Sequence, residues 1–488
     1  MGIKRYHAEQ DNTITNAFEA NLTTRGTGSN MGLADSLEVF SIYAQANSSS
    51  LEASRVLVQF PVTSSIISGV TTILEDRNNG KIPESGSVNF YLRLFNVPTD
   101  KTVPRNFTLV ASPISQSWQE GNGLDMDNYS DLTYNGVGSN WINARTNVTW
   151  SNPGGDFLTG ASYSAFNYEQ NFDNGTENLE MDVTALVEQW ITGTAGGGLG
   201  NYGFGVFLTS SEESGTQSYY TKKFSSRSSE YFFSRPIIEA RWDSARKDNR
   251  GNFIVSSSTL SAADNLNTIY FYNYYRGQLT NVAGAGTGSI YVTLHTSASG
   301  GDQLTATPNN PVTGGYVSTG IYSASFALAT TASTVYDRWF SGSTYYDTGS
   351  FSVTTHDPYN YYDIPQYVTN INNLKSNYSR KGEGQFRLFT RLKDWRPTIY
   401  TVASTAIENY FIEDAYFKFY RVIDNKDVIA YGTGSTDHTR LSYDASGSYF
   451  NLDMSLLEAD YLYGIKFLYY INGSYEEQKE VFTFRVVE

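Results

Sequence analysis

Asp182-Val-Thr-Ala-Leu-Val-Glu-Gln-Trp190, with Gly193 behind it and Asn201-Tyr-Gly-Phe-Gly-Val-Phe-Leu208 following, decides the fold. Val183, Leu186, Val187 and Trp190 recur at i, i+3, i+4 and i+7, which predicts a short helix with one apolar stripe. Asp182 is placed to cap its start and Gly193 to stop it. Roughly two turns are not stable alone in water, so the stripe must lie on another layer. The second piece supplies a strand: Tyr202, Phe204, Val206 and Leu208 alternate with Gly203, Gly205 and Phe207. The glycines leave room on one face for another backbone or an aromatic ring. Together they read as a short helix plugging a β-sandwich.

The rest of the chain agrees. Its 488 residues are enough for two to four domains, and 38 Tyr and 28 Phe sit among abundant Gly, Ser, Thr and Asn. Helical periodicity is scarce, so the composition predicts an all-β protein of many short strands. A net charge of −15 without a basic groove argues against nucleic-acid binding. With no cysteine there are no disulfides, no thiolate chemistry and no Cys-based zinc sites. Met1-Gly-Ile-Lys-Arg-Tyr-His-Ala-Glu-Gln10 carries no apolar stretch of signal-peptide length, so synthesis and folding in a reducing cytoplasm are expected. No run of about 18 apolar residues exists to span a membrane.

Strand patterns appear at Leu37–Ile42, Arg55–Phe60 and Val88–Phe95. Asp243-Ser-Ala-Arg-Lys-Asp-Asn-Arg-Gly251 is charged and ends in Gly, so it marks a boundary and reads as a linker or turn. His356-Asp-Pro-Tyr-Asn-Tyr-Tyr-Asp-Ile-Pro365 marks a second boundary. Between them, strand patterns such as Thr268–Tyr272, Ser289–Leu294, Gly320–Ala327 and Val335–Phe340 are separated by turn signals such as Thr313-Gly-Gly315. This spacing predicts an immunoglobulin-like sandwich, with a Tyr from Gly320-Ile-Tyr322 or its neighbourhood packed at a corner. A second sandwich of that kind follows. The expectation is three β-sandwich domains in tandem: residues 1–242, jelly-roll-like with one short helix, then 243–357 and 358–488, both immunoglobulin-like.

A series of motifs in order sharpens the first domain. They are Asn30, Gly32, Leu37 and Val39; Ser54, Arg55, Leu57 and Phe60; Trp118 and Glu120; Val148-Thr-Trp150; Asp182-Val-Thr-x-Leu-Val-x-x-Trp190; Asn201-Tyr-Gly-Phe204; and Arg235-Pro-Ile-x-Glu239. Over about residues 5–242 the chain resembles the DNRLRE-type β-sandwich domain, which is related to carbohydrate-binding modules. That resemblance implies a fold rather than a ligand. Arg235-Pro…Arg241-Trp-Asp-Ser-Ala-Arg-Lys-Asp-Asn-Arg250, Arg391-Leu-Lys-Asp-Trp395 and Gly432-Thr-Gly…Thr439-Arg-Leu-Ser-Tyr-Asp-Ala-Ser-Gly447 are similar to structural proteins of tailed, especially marine, phages.

Candidate sites are few. Asp125, Asp127 and Asp131 offer oxygens for Ca²⁺ in an insertion between Trp118 and Trp150, although Tyr129 and Ser130 break the EF-hand order. Trp118, Trp141 and Trp150, with Trp190, are candidates for a sugar-stacking platform and equally for core residues. His7, His295, His356 and His438 show no metal-binding spacing, and no nucleophile, base and orienter group together. The chain is therefore expected to be no enzyme and to need no cofactor beyond a possible Ca²⁺. Two roles fit. One is a phage virion structural or decoration protein, multicopy or homo-oligomeric, contacting other virion proteins and located on the particle. The other is a carbohydrate-binding adhesin holding polysaccharide through its N-terminal module. Tyr-rich surfaces suit many moderate protein contacts.

Overall fold

The computed structural model describes residues 2–100, 102–124, 137–355, 365–395, 398–400 and 407–488. The chain is all-β with a few short helices. It divides into two compact units, one spanning Ile3–Trp242 and the other containing Asp243–Glu488.

The first unit is a sandwich of two sheets. A four-stranded sheet runs in the order Ile3–His7, Ile237–Arg241, Asn89–Leu94, Leu179–Asp182. A seven-stranded sheet runs Tyr219–Ser225, Ser36–Tyr43, Leu51–Gln59, Phe204–Leu208, Phe107–Pro113, Tyr168–Phe172, with Gln10–Thr15 paired to Leu51–Gln59. Period-two alternation drives this packing. In Asn89–Leu94, Phe90, Leu92 and Leu94 are buried while Asn89, Tyr91 and Arg93 are half-buried. The inner faces share one apolar core with the helix stripe.

The helix spans Thr184–Thr192, and Gly193 ends it with a positive φ of 66°. Val183, Leu186, Val187 and Trp190 are all buried in the core. The Trp190 ring meets Phe204 edge-on at 4.8 Å. Asp182 stands one residue ahead of the cap position, which Val183 takes, and Asp182 Oδ1 accepts hydrogen bonds from the Thr184 N–H and hydroxyl. Both glycine expectations hold. A side chain at Gly203 would strike the Val58 carbonyl, and one at Gly205 would strike the Phe157 ring. Two further helices, Ile73–Asn78 and Ser210–Glu213, begin with capping boxes, Thr72/Glu75 and Thr209/Glu212.

In the second unit, a nine-stranded sheet includes Thr344–Thr354, Thr334–Ser341, Ile290–His295, Val312–Ser318, Ile321–Leu328 and Asn267–Tyr272 in that pairing order. Ile269 and Phe326 at one end share a core with Val292, Trp339 and Phe351 at the other, so the sheet is folded over on itself. Thr313-Gly-Gly315 is not a turn between strands. Its strand pairs with Ile290–Val292 through residues 312–314 and with Ile321–Ser323 through residues 315–318, passing from one layer to the other. Gly314 lies where a side chain would strike the Trp339 ring, which explains the small residue at this corner. Tyr322 is the buried tyrosine; its hydroxyl donates to the Gly286 carbonyl at 2.6 Å and accepts from the Val282 N–H at 3.1 Å.

The last sandwich pairs Tyr367–Ile371, Glu383–Leu392, Gly447–Asp453 and Ser442–Asp444 in one sheet. Its other sheet runs Asn377–Ser379, Phe482–Val487, Leu462–Ile471, Ala415–Arg421, Lys426–Ile429, with Ser474–Glu477 beside Leu462–Ile471. Stacked rings fill the space between: Phe450 lies 4.9 Å from Phe386 and 4.2 Å from Phe417, nearly parallel to both.

The expected linker at Asp243–Gly251 is a correction. Within the second unit it is bonded to both sandwiches. The Tyr443 N–H donates to the Arg246 carbonyl and the Asp248 N–H to the Tyr443 carbonyl. Asn249 Oδ1 accepts from the Thr268 N–H, and Arg250 grips Asp337 through two nitrogens at 2.6 and 2.7 Å. A charged, glycine-ended sequence resembles a linker only while its partners, far away in the chain, are out of sight.

Candidate functional site

The motif residues of the first unit converge on one polar node. Gln10–Thr15 is buried along its whole length, although Asp11, Asn12, Thr13 and Thr15 are polar. Buried polar atoms need partners, and the Trp118–Trp150 insertion supplies many of them. Asn12 Nδ2 donates to Ser139, and Asn30 Nδ2 donates to the Glu120 and Ser139 carbonyls. Asn30 Oδ1 accepts from the Gly32 and Gly123 N–H groups. Gly121 and Gly138 flank Asn30 with positive φ, and a side chain at either would strike the Asn30 amide. Glu120 accepts the Asp11 N–H and pairs with Arg227. Burial pushes Asp11 up to about 7; the Arg227 N–H on its carboxylate opposes this and the neighbouring Glu120 charge reinforces it. This node fixes the base of the insertion. Asp125, Asp127 and Asp131, the Ca²⁺ candidates, lie outside the described residues, as does His356. Among the described residues no group of three or more potential metal ligands occurs.

The tryptophans beneath the node are core residues. Trp118, Trp141 and Trp150 are 5%, 8% and 4% exposed, and Trp190 is buried on the core-facing side of its helix. The Trp118 and Trp150 indole N–H groups donate to the Tyr202 and Asn140 carbonyls. Arg55, itself held by Glu213, covers the Trp141 face. A stacking platform needs an open ring face, and these rings present none.

An open aromatic row lies elsewhere, on the folded-over sheet of the second unit. Alternation sends Val335, Asp337 and Trp339 inward and leaves Tyr336, Arg338 and Phe340 half-buried on the other face. Tyr291 pairs across from Phe340, and Phe340 across from Tyr345. Their ring centroids are 5.9 and 5.4 Å apart, and Tyr291 and Tyr345 are 38% and 54% exposed. A bulge in the pairing beside Phe340 turns Tyr346 toward Phe271 in the core while Tyr345 stays outside. The Arg338 guanidinium lies 4.4 Å from the Tyr345 ring centre, and its Nε has no hydrogen-bond partner among the described residues. Tyrosine and arginine are the residues on which contact energy concentrates. A second exposed aromatic group caps the hairpin of Tyr274–Tyr275 and Gln278–Leu279, where Arg276 stacks on Tyr275. Sequence reading missed both features. The alternation in Tyr336-Asp-Arg-Trp-Phe340 shows which residues share a face, but the row itself depends on pairing three strands.

No family model and no curated sequence matches the chain. Solved structures that align with it include a marsupial T cell receptor, at 8% identity over 49% of this chain and 70% of that one, with a TM-score of 0.15. Another is the Yersinia pseudotuberculosis adhesin InvE, at 11% identity over 48% and 56%, with a TM-score of 0.15. The N-terminal Ig1-2 module of the Drosophila receptor protein tyrosine phosphatase DLAR aligns at 6% identity over 46% and 91%, also at 0.15. Superpositions this loose carry no argument about activity or partner.

Proposed function

We propose that this chain is a non-enzymatic structural protein of a tailed-phage particle, a DNRLRE-like sandwich and two immunoglobulin-like sandwiches that decorate the capsid, neck or tail. The observation that supports contact-making best is the exposed row Tyr291–Phe340–Tyr345 with Arg338 stacked on it. Rings and a guanidinium in one patch suit a protein partner that brings a carboxylate or another ring. The phage assignment rests on the sequence resemblance at Arg235–Arg250, Arg391–Trp395 and Gly432–Gly447. In this reading the chain is made in the host cytoplasm and leaves with the particle in many copies. The test is mass spectrometry and imaging of purified particles. The intact chain at stoichiometric copy number is the expected result, and its absence from particles overturns the proposal.

The adhesin reading keeps one observation in its favour, but it shifts to a different module. With Trp118, Trp141, Trp150 and Trp190 buried, the Tyr291–Phe340–Tyr345 row is a surface on which sugar rings can stack. Polysaccharide binding that Tyr345→Ala abolishes is its expected signature.

A further inference from the structure

Lys222 lies in Tyr219–Ser225, an edge strand of the seven-stranded sheet, and is 1% exposed. A buried ammonium is costly unless it is fully paired, yet among the described residues no carboxylate stands within ion-pairing distance of it. Its Nζ donates instead to neutral oxygens: Asn96 Oδ1 at 2.6 Å and the Gly175 and Glu177 carbonyls at 2.9 and 2.8 Å. The rings of Phe172 and Phe224 flank it at 5.1 and 5.0 Å. Asn96 lies two residues beyond Asn89–Leu94 of the four-stranded sheet. Its position is fixed by the backbone on both sides, because the Val97 N–H donates to the Lys223 carbonyl and the Ser225 N–H to the Phe95 carbonyl. Burial raises the Glu177 carboxyl, but backbone N–H groups, that of Asn174 among them, and the Lys222 charge hold it below its ordinary range.

We propose that Lys222 and Asn96 join through an intramolecular isopeptide bond. The unprotonated Lys222 amine attacks Cγ of Asn96. The new C–N bond forms as the Asn96 Cγ–Nδ2 bond breaks, and the departing nitrogen takes a proton from the attacking amine and leaves as ammonia. Amine plus primary amide gives secondary amide plus ammonia, so no oxidant, reductant or cofactor enters. Burial favours the step by pulling Lys222 down to about 8, against the opposing charge of Glu177, which leaves free amine available near neutral pH. A cleft of about 900 Å³, lined by Asn96, Thr99, Gly175, Tyr220 and Lys222 among others, gives the ammonia a way out. The bond ties the two sheets across 126 residues of chain, in a protein without a cysteine to do so.

The test is the intact mass of the denatured full-length chain, followed by digestion. Loss of ammonia makes the chain about 17 Da lighter than its sequence, and a branched peptide containing both Asn96 and Lys222 appears. Lys222→Arg and Asn96→Ala each restore the sequence mass. A wild-type chain at its sequence mass overturns the proposal. So does a mass deficit that survives Lys222→Arg, since that ammonia comes from another site.

Discussion

The sandwich of Ile3–Trp242 and the one nearest the C-terminus both close over apolar cores but hold charge differently. The first buries ions on the face of its four-stranded sheet that points away from the core. Glu239 is 1% exposed, and Arg5, Arg93 and Arg241 all reach its carboxylate. Asp11, Glu120 and Lys222 are buried or half-buried elsewhere in the same unit. The last sandwich packs phenylalanines instead, with Phe450 stacked between Phe386 and Phe417 and edge-on to Phe419 and Phe467. Its ion pairs, such as Arg387–Asp444 and Lys466–Glu477, stay at partly exposed positions. Buried ions demand specific partners, so they fix which strand lies beside which. Stacked rings fill volume and tolerate sliding, so they contribute cohesion with less direction.

This contrast can be broken experimentally. Phe450→Ala opens the ring stack and is expected to cost about 4–5 kcal/mol. Hydrogen exchange then shows protection lost in Glu383–Leu392 and Gly447–Asp453 and retained in Leu51–Gln59; loss in all three strands refutes the separation. Glu239→Gln strands three guanidiniums around a neutral amide and is expected to cost about 3 kcal/mol, read by chemical denaturation. A neutral result means the cage is ornamental.

The pH dependence separates two carboxylates of the first unit. Burial disfavours the Glu239 charge, but the three arginines outweigh it and hold the carboxyl far below its ordinary range. Its contribution is therefore present at neutral pH and lost as pH falls through that depressed value. Asp11 is the reverse. Raised to about 7, it contributes stability below the ordinary Asp range, and that contribution is lost as pH climbs from about 4 toward 7. Asp11→Asn removes that decline, on the order of 3 kcal/mol across the window. Unfolding midpoints measured from pH 4 to 8 that fall equally in wild type and variant count against it. The smallest effect belongs to the Thr72 cap, where Thr72→Ala costs about 1 kcal/mol.

How much of this was legible follows from the range of each interaction. Local periodicity gave the all-β class, the Val183–Trp190 stripe and the room at Gly203 and Gly205, because each depends on residues close in sequence. The capping boxes Thr72-Ile-Leu-Glu75 and Thr209-Ser-Ser-Glu212 were equally local and went unread. What stayed hidden depends on pairing: the strand through Gly314, the role of Asp243–Gly251, the open row at Tyr345, and the meeting of Lys222 with Asn96. Tryptophan composition misled toward sugar because it is silent on burial.

The short strand Asn377–Ser379 lies parallel to the final strand, from Arg485 to Val487, whereas the other pairings in its sheet are antiparallel. Tension that draws these two strands apart lengthwise loads their hydrogen bonds together rather than peeling them one after another. Under tension applied along that pair, the last sandwich is expected to resist extension more than its thermodynamic stability alone would suggest.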